Sequence, residues 1–532
     1  MKVAALFFIL VACAYANPRK YHYIPTEQFQ TEDVDDDVMH PDADDDEPEV
    51  RPFAVQPEEL TKEHWIQHGR DFVERQLNKA PNTKKAKNII LFIGDGMGHT
   101  TVAATRMAMG NENIKLSFEE FPYVASSKTY CVDEQVADSA CTATAFLHGV
   151  KGNSMTIGVN GNMRYMDCVD TNNRNKYTES IALWAQKAGK ASGVVTNTRI
   201  THASPAGVYA NTASRYWEDD NEIRLDGCPA GTIEDIAMQL VHGEVGSNLN
   251  VLLGGGSRAF IPNTETSHRA NGRRRDGRNL INEWLAAKPG RTYVNNREDF
   301  MNYDINRDGD LFGLFNATHM SYNLDRTRWE LQDLEPTLEE MSVKAVDILS
   351  KKEEGYFLFV EGGRIDHGHH ATQARMALDE TIEFQKAIKS VVDKVNLEET
   401  LIIVTADHGH VFTISGYPHR GNDIFGLTAS NAQDAMRIFT LSYANGPGFN
   451  THRVGGQRVN PNTLDRTPVD FRYPAMVLLS SETHAAEDVA IYGIGPWAHL
   501  LQGTVEQSVI PHVMAYASCL GNGKKMCDNE EQ

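Results

Sequence analysis

Five short, largely apolar runs set what this chain can fold into. They lie at 88–93, 191–196, 250–253, 356–360 and 401–405. Runs this brief, without polar alternation, fit strands buried on both faces and are too short for helices. Helical periodicity fills the intervals at 64–77, 178–188, 233–241, 338–349 and 374–395, and a last helix is expected over 504–519. Alternating buried strands and helices predict an α/β fold with a doubly wound, mostly parallel central sheet flanked by helices. Between 416 and 481 Pro and Gly are frequent and the apolar runs shorten, which reads as a loop-rich insertion with a few strands.

The residues just past these strands are chemically unusual. In an open α/β sheet, ligands bind beyond the carboxyl ends of the strands. Asp95 comes after the first run. His202 and Ser204 come after the second. Glu361 and Asp366, with His367, His369 and His370, come after the fourth, and Asp407 and His408 after the fifth. Four strand ends therefore deliver metal-type ligands to one edge. Imidazole and carboxylate together favour zinc, whereas carboxylate oxygens alone favour magnesium. Taken singly, each has a plainer reading. Asp95 in G-D-G-M-G could be a turn, and His202 and His484 could be structural or loop histidines.

Ser139 lies at the start of a helical pattern, 140–147, where free backbone N–H groups favour a phosphate. Asp138 or Ser139 could equally be a simple N-cap. No G-x-S-x-G elbow surrounds the serine, so a metal is the consistent means of activating it. Arg215 offers a guanidinium fork for two phosphate oxygens, or is a surface arginine. The run D-I-N-R-D-G-D at 304–310 begins like a calcium loop, but Phe315 stands where the glutamate ligand belongs, so an Asx-rich turn is expected.

The net charge of -21 argues against nucleic acid as a partner. Residues 1–16 read as a signal peptide: Lys2, a short apolar run, then Ala14-Tyr15-Ala16. The acidic segment within 17–59 reads as solvated chain, and 528–532 as a polar tail, with the catalytic domain expected over 60–527. No other apolar run is long enough to span a bilayer, and the C-terminus lacks a lipid-anchor pattern, so a secreted, extracellular protein is expected. Export permits disulfides. Cys519 with Cys527 and Cys168 with Cys228 are plausible pairs; spacing does not decide whether Cys131 and Cys141 pair or stay free. Asn316-Ala317-Thr318 is a glycosylation sequon.

The motifs G-D-G-M-G, V-A-D-S-A-C-T-A-T-A, T-H-A-S-P-A-G, F-V-E-G-G-R-I-D-H-G-H-H, T-A-D-H-G-H and E-T-H-A-A-E-D-V-A occur here in one order. In that order they resemble the animal alkaline phosphatases from about residue 60 to 527. The resemblance implies a homodimer acting on phosphate monoesters, with two zinc ions and one magnesium ion per subunit. It implies that Ser139 is the nucleophile that becomes phosphoserine and contacts a metal. Asp366, His370 and His484 then match the ligands of one zinc, and Asp95, Asp407 and His408 those of the other. Asp95, His202, Ser204 and Glu361 match the magnesium set, Arg215 the phosphate-holding arginine, and His367 a histidine near the phosphate. The resemblance also implies that 416–481 is the surface "crown" insertion. It does not extend to the calcium site of mammalian members, where Asn316 stands in place of an acidic ligand. A sulfatase would want C-x-P-S-R and a nucleotide pyrophosphatase a threonine, and Asp138-Ser139-Ala140 fits neither. A non-catalytic cation-binding protein would be expected to lack a ligand or Ser139, and none is lost.

Overall fold

The computed structural model describes residues 55–529, apart from 230 and 269. The signal-peptide reading, most of the acidic segment and the end of the polar tail lie outside the described residues. Ten strands form the central sheet: β1 (Asn88–Gly94), β2 (Tyr123–Lys128), β3 (Ala191–Arg199), β4 (Val251–Gly255), β5 (Thr292–Val294), β6 (Leu311–Leu314), β7 (Tyr356–Gly362), β8 (Thr400–Ala406), β9 (Val489–Ile494) and β10 (Gly503–Glu506). Their spatial order is β10-β2-β9-β8-β1-β7-β3-β4-β6-β5. Only β9 runs against its neighbours, β8 and β2.

The five apolar runs form the middle of this sheet, and alternation across its two faces explains why they are apolar throughout. Ile89, Leu91 and Ile93 pack into one core and Ile90 and Phe92 into the other. Each side chain so buried contributes about 1.5–3 kcal/mol. Helices α1 (Lys62–Leu77), α2 (His99–Met109), α3 (Ser139–His148), α4 (Leu338–Leu349), α5 (Arg364–His370), α6 (Ala374–Lys394) and α7 (Ile510–Ser518) are among those surrounding it. Phe146 of α3 and Met514 of α7 cover one face; Met341 of α4 with Phe384 and Ile388 of α6 cover the other. The last helix is shorter than expected because 503–506 pairs in parallel with β2.

Phe359 of β7 stacks on Phe146, with ring centroids 6.4 Å apart, and so ties the sheet to the helix that begins at Ser139. Phe359→Ala should destabilise the fold by about 3–5 kcal/mol. A lower denaturant midpoint at unchanged slope would show it.

The insertion is built on a small sheet of Phe412–Ile414, Leu441–Asn445 and Ala475–Val477. Its core, including Phe439, Leu441, Tyr443, Phe471 and Tyr473, closes against Ala104 of α2 and Ala374 and Leu378 of α6. Residues 304–310 form a turn: Asp304 accepts from the Asn306 N–H at 2.9 Å, while Asp310 is taken by Arg291 and Asn250.

Cys168 is bonded to Cys228, and Cys131 to Cys141. The expected bond between Cys519 and Cys527 is not formed. The short loop brings the Cys527 backbone N–H onto Cys519 Sγ at 3.2 Å. The sequon nitrogen is also engaged: Asn316 Nδ2 donates to Glu335 Oε1 at 2.7 Å. A glycan on that nitrogen would compete with this bond to a buried carboxylate.

Candidate metal and phosphate centre

Strand register brings the polar clusters to one place. Gly94 pairs with both Ala406 and Gly362, and Thr196 with Glu361, so the carboxyl ends of β1, β8, β7 and β3 are level. Because β9 is antiparallel, the chain entering it arrives at the same edge, where His484 pairs with His410.

Two ligand sets converge there. In the first, His370 Nε2 and His484 Nε2 lie 3.3 and 3.2 Å from Asp366 Oδ1 and 3.1 Å from each other. Their Nδ1 atoms donate to the Glu482 carbonyl at 2.6 Å and the Ala137 carbonyl at 2.7 Å. Burial lowers both pKa values, which keeps the rings neutral. A neutral ring with its proton on Nδ1 has only a lone pair on Nε2. Two lone pairs and a carboxylate oxygen therefore face one point, an arrangement that a cation satisfies and a hydrogen bond does not.

The second set surrounds His408 Nε2, which lies 3.1 Å from Asp407 Oδ2, 3.2 Å from Ser139 Oγ and 3.6 Å from Asp95 Oδ1. Asp407 Oδ1 is occupied by the Gly96 and His408 N–H groups, each at 2.9 Å. Neither oxygen of fully buried Asp95 has a hydrogen-bond partner. Burial, then Asp407, Asp366 and Glu361, push its pKa well above the usual carboxylate range. Glu361 is pushed up to about 7, chiefly by burial. Buried carboxylates held this close call for a compensating cation.

Glu361 Oε2 accepts from Thr196 and Thr198, and Ser204 is fully buried nearby in the helix opened by His202. Polar atoms of Asp95, His202 and Glu361 lie within 4.8 Å of one another. His202 Nε2 faces Arg215 Nη2 at 3.1 Å as its acceptor. The neutral His202 ring then carries its proton on Nδ1, which is buried with no hydrogen-bond partner.

Ser139 is the first residue of α3. Asp138 caps that helix by accepting from the Ala140 and Cys141 N–H groups. Asp138 Oδ2 also accepts from Arg215 Nη1 at 2.9 Å. Burial works against ionising Asp138, but Arg215 and the Met155 and Ala140 amides outweigh it and hold its pKa low. Ser139 and the Arg215 guanidinium are thus oriented by one carboxylate. His367 bonds through Nδ1 to Arg364 at 2.8 Å, and its ring lies 5.5 Å from that of His202.

Further residues support these sets, and of them His319 and Glu482 carry no signal in the sequence. His319, on the loop after β6, packs its ring 4.3 Å from His367 and 5.3 Å from His202. Buried Glu482 accepts from His410 Nδ1 at 2.6 Å, and His410 Nε2 lies 2.9 Å from Asp366 Oδ1. Burial disfavours charging His410, but Glu482 and Asp366 push its pKa up to about 10, so the charged ring holds Asp366 in place. His369 is structural, held between Thr101 and Tyr443, each at 2.9 Å.

Gly96 has φ +72, and a Cβ there would meet the His410 ring at Nε2. Gly96→Ala should therefore displace the ring that holds Asp366 and lower kcat/KM on the order of tenfold to a hundredfold. Gly69→Ala, where a Cβ meets nothing within 4 Å, is the control.

A cavity of about 790 Å³ elsewhere, lined in part by Arg174, Asp235 and Arg274, includes none of these residues.

The chain is similar to several known proteins. The "Membrane-bound alkaline phosphatase" of Bombyx mori is 40% identical over 478 residues, covering 87% of this chain and 86% of that one. The "Alkaline phosphatase, tissue-nonspecific isozyme" of Homo sapiens is 41% identical over 490 residues, covering 89% and 91%. The solved alkaline phosphatase of Thermus thermophilus shares the fold with a TM-score of 0.59 at 22% identity, covering 86% of this chain and 96% of its own. That of the Antarctic bacterium TAB5 does so with a TM-score of 0.58 at 22% identity, covering 82% and 100%. The family model described as alkaline phosphatase matches residues 86–520, and the chain belongs to that family.

Proposed function

We propose that this phosphomonoesterase works through a phosphoserine on Ser139, with two zinc ions and one magnesium ion per subunit. The family is metal-dependent, and the donor sets support the choice of ions. Asp366, His370 and His484 would hold one zinc, and Asp95, Asp407 and His408 the other. Asp95, Glu361 and Ser204 would hold magnesium through oxygen alone, with His202 donating beside it. When bound, these ions supply Lewis acidity toward the phosphate and a nucleophilic water at neutral to alkaline pH.

The chain's own residues do the rest. Ser139 Oγ attacks phosphorus in line; the P–O bond to the alcohol breaks and the alcohol leaves. Hydrolysis of the phosphoserine then releases inorganic phosphate and restores the serine. Arg215, steadied by Asp138, offers two N–H groups to the equatorial oxygens, and His367 stands beside the same oxygens. The ions and arginine grip phosphate rather than the leaving group, so broad monoester specificity is expected. The observation that carries the reading is the meeting of the His370 and His484 lone pairs on Asp366, next to a serine at a helix N-terminus.

The assay is phosphate release from a chromogenic aryl phosphate at alkaline pH. Metal-replete protein without turnover would end the reading.

In this reading the catalytic domain runs over 60–527, with 416–481 as its crown-like insertion. A homodimer is supported by α1, whose Trp65, Ile66, Phe72, Val73 and Leu77 are 50–81% exposed. Export is supported by the signal-peptide pattern and the two disulfides. No helix among the described residues is long and apolar enough to cross a membrane.

A further inference from the structure

The Cys131–Cys141 disulfide is built into the turn that presents the nucleophile. Cys141 lies in the first turn of α3, two residues after Ser139, and both cysteines are 2% exposed. The segment between them has no helix or strand before Ser139, and it carries exposed side chains such as Val132 and Val136. Its own backbone ties are few: Cys131 N–H to the Glu134 carbonyl and Val132 N–H to the Gly152 carbonyl, each at 3.0 Å.

Yet the end of this segment holds three working groups in consecutive residues. The Ala137 carbonyl fixes the His484 tautomer at 2.7 Å. The Asp138 carboxylate fixes Arg215 at 2.9 Å and receives the Met155 N–H at 2.8 Å. Ser139 places its Oγ at His408. A solvent-facing loop is a poor support for three groups whose positions matter to a fraction of an ångström. The disulfide packs with Ala137 in a small buried cluster and fastens the loop to the helix at that point.

We propose that Cys131 and Cys141 together form a positioning element for the reaction, holding residues 137–139 so that His484, Arg215 and Ser139 keep their mutual geometry. This rests on the roles given to those three residues above. The bond between Cys168 and Cys228 is the natural contrast. It spans a sequence separation of 60 against 10, and packs with Val159, Met163 and Trp217 in a separate cluster. In the chain-entropy account the longer loop contributes more stability. The two bonds should therefore differ in kind, one acting on kinetics and the other on stability.

The test uses two paired variants of the full chain, each loaded with zinc and magnesium: Cys131→Ala with Cys141→Ala, and Cys168→Ala with Cys228→Ala. Each is assayed well below its melting temperature for kcat, KM and inhibition by inorganic phosphate. The first pair should lose about tenfold to a hundredfold in kcat/KM, with a parallel rise in the phosphate inhibition constant as Arg215 loosens. The second should keep both constants and lose more in Tm. If the first pair does not fold, wild-type holoenzyme is treated with a phosphine reductant that spares bound metal. Alkylated Cys131 and Cys141 are then counted by mass spectrometry against residual activity. Unchanged kinetics after loss of the bond, or an equal loss in the second pair, overturns the proposal. Full activity in Ser139→Ala would instead overturn the reading beneath it.

Discussion

Ser139→Ala should give a folded protein that hydrolyses aryl phosphate on the order of a thousandfold more slowly, or worse, and that traps no phosphoenzyme. The fold should survive because Asp138, not Ser139, caps α3. Ser139 is 2% exposed, and losing one hydroxyl there removes no hydrophobic contact. What is lost is the oxygen 3.2 Å from His408 Nε2. The neighbouring hydroxyls of Thr142 and Thr144 are already turned back onto the Asp138 and Ala140 carbonyls, so they are poor substitutes. Acid-quenched protein from labelled substrate is the measurement. Label on wild type and none on the variant, at matching thermal stability, is the expected pair of results. Label persisting on the variant would move the nucleophile to another residue.

The middle of the sheet is legible in the sequence because β1, β7 and β8 are buried on both faces, which leaves a continuous apolar signature. The edges are not. β2 alternates buried Ala125 and Ser127 with half-buried or exposed neighbours, and β5 has three residues, so neither carries that signature. β10 is absorbed into the helix expected after it, since Val505 and Val509 sit at helical spacing. Most of the candidate ligands are legible because they lie just past a strand end, where the fold itself concentrates function; His484 instead precedes the antiparallel β9. Pairing through space leaves no such trace. His319 has no motif, and its place beside His367 depends on how the loop after β6 packs. Glu482 sits in S-E-T-H, but its hold on His410 depends on the short pairing of 409–410 with 484–485. The cysteine pairs divide the same way. The 168–228 bond is expected from sequence, 131–141 is open, and 519–527, plausible by spacing, is not bonded, the Cys527 N–H lying on Cys519 Sγ.

Stripping the metals with a chelator should abolish turnover, and zinc with magnesium should restore it. The stripped protein should also acquire a pH dependence that the loaded protein lacks. Without cations, Asp95 is held well above its ordinary pKa and Glu361 at about 7, each first by burial. Their unfolded values lie near 4, so above that the unfolded chain has released protons that the folded one keeps. Stability then falls as pH rises through the folded values. Below about pH 6.5 the opposite slope intervenes, because desolvation lowers the pKa values of His202, His367, His370 and His484, which bind protons more readily on unfolding. The informative window is therefore about pH 6.5–8. His410, raised to about 10, adds a falling slope of its own to the stripped protein there. Thermal melts of stripped protein should drop more steeply across this window than those of loaded protein. Equal slopes would mean that Asp95 and Glu361 are already ionised without a cation, and the electrostatic case for a metal between them would fall.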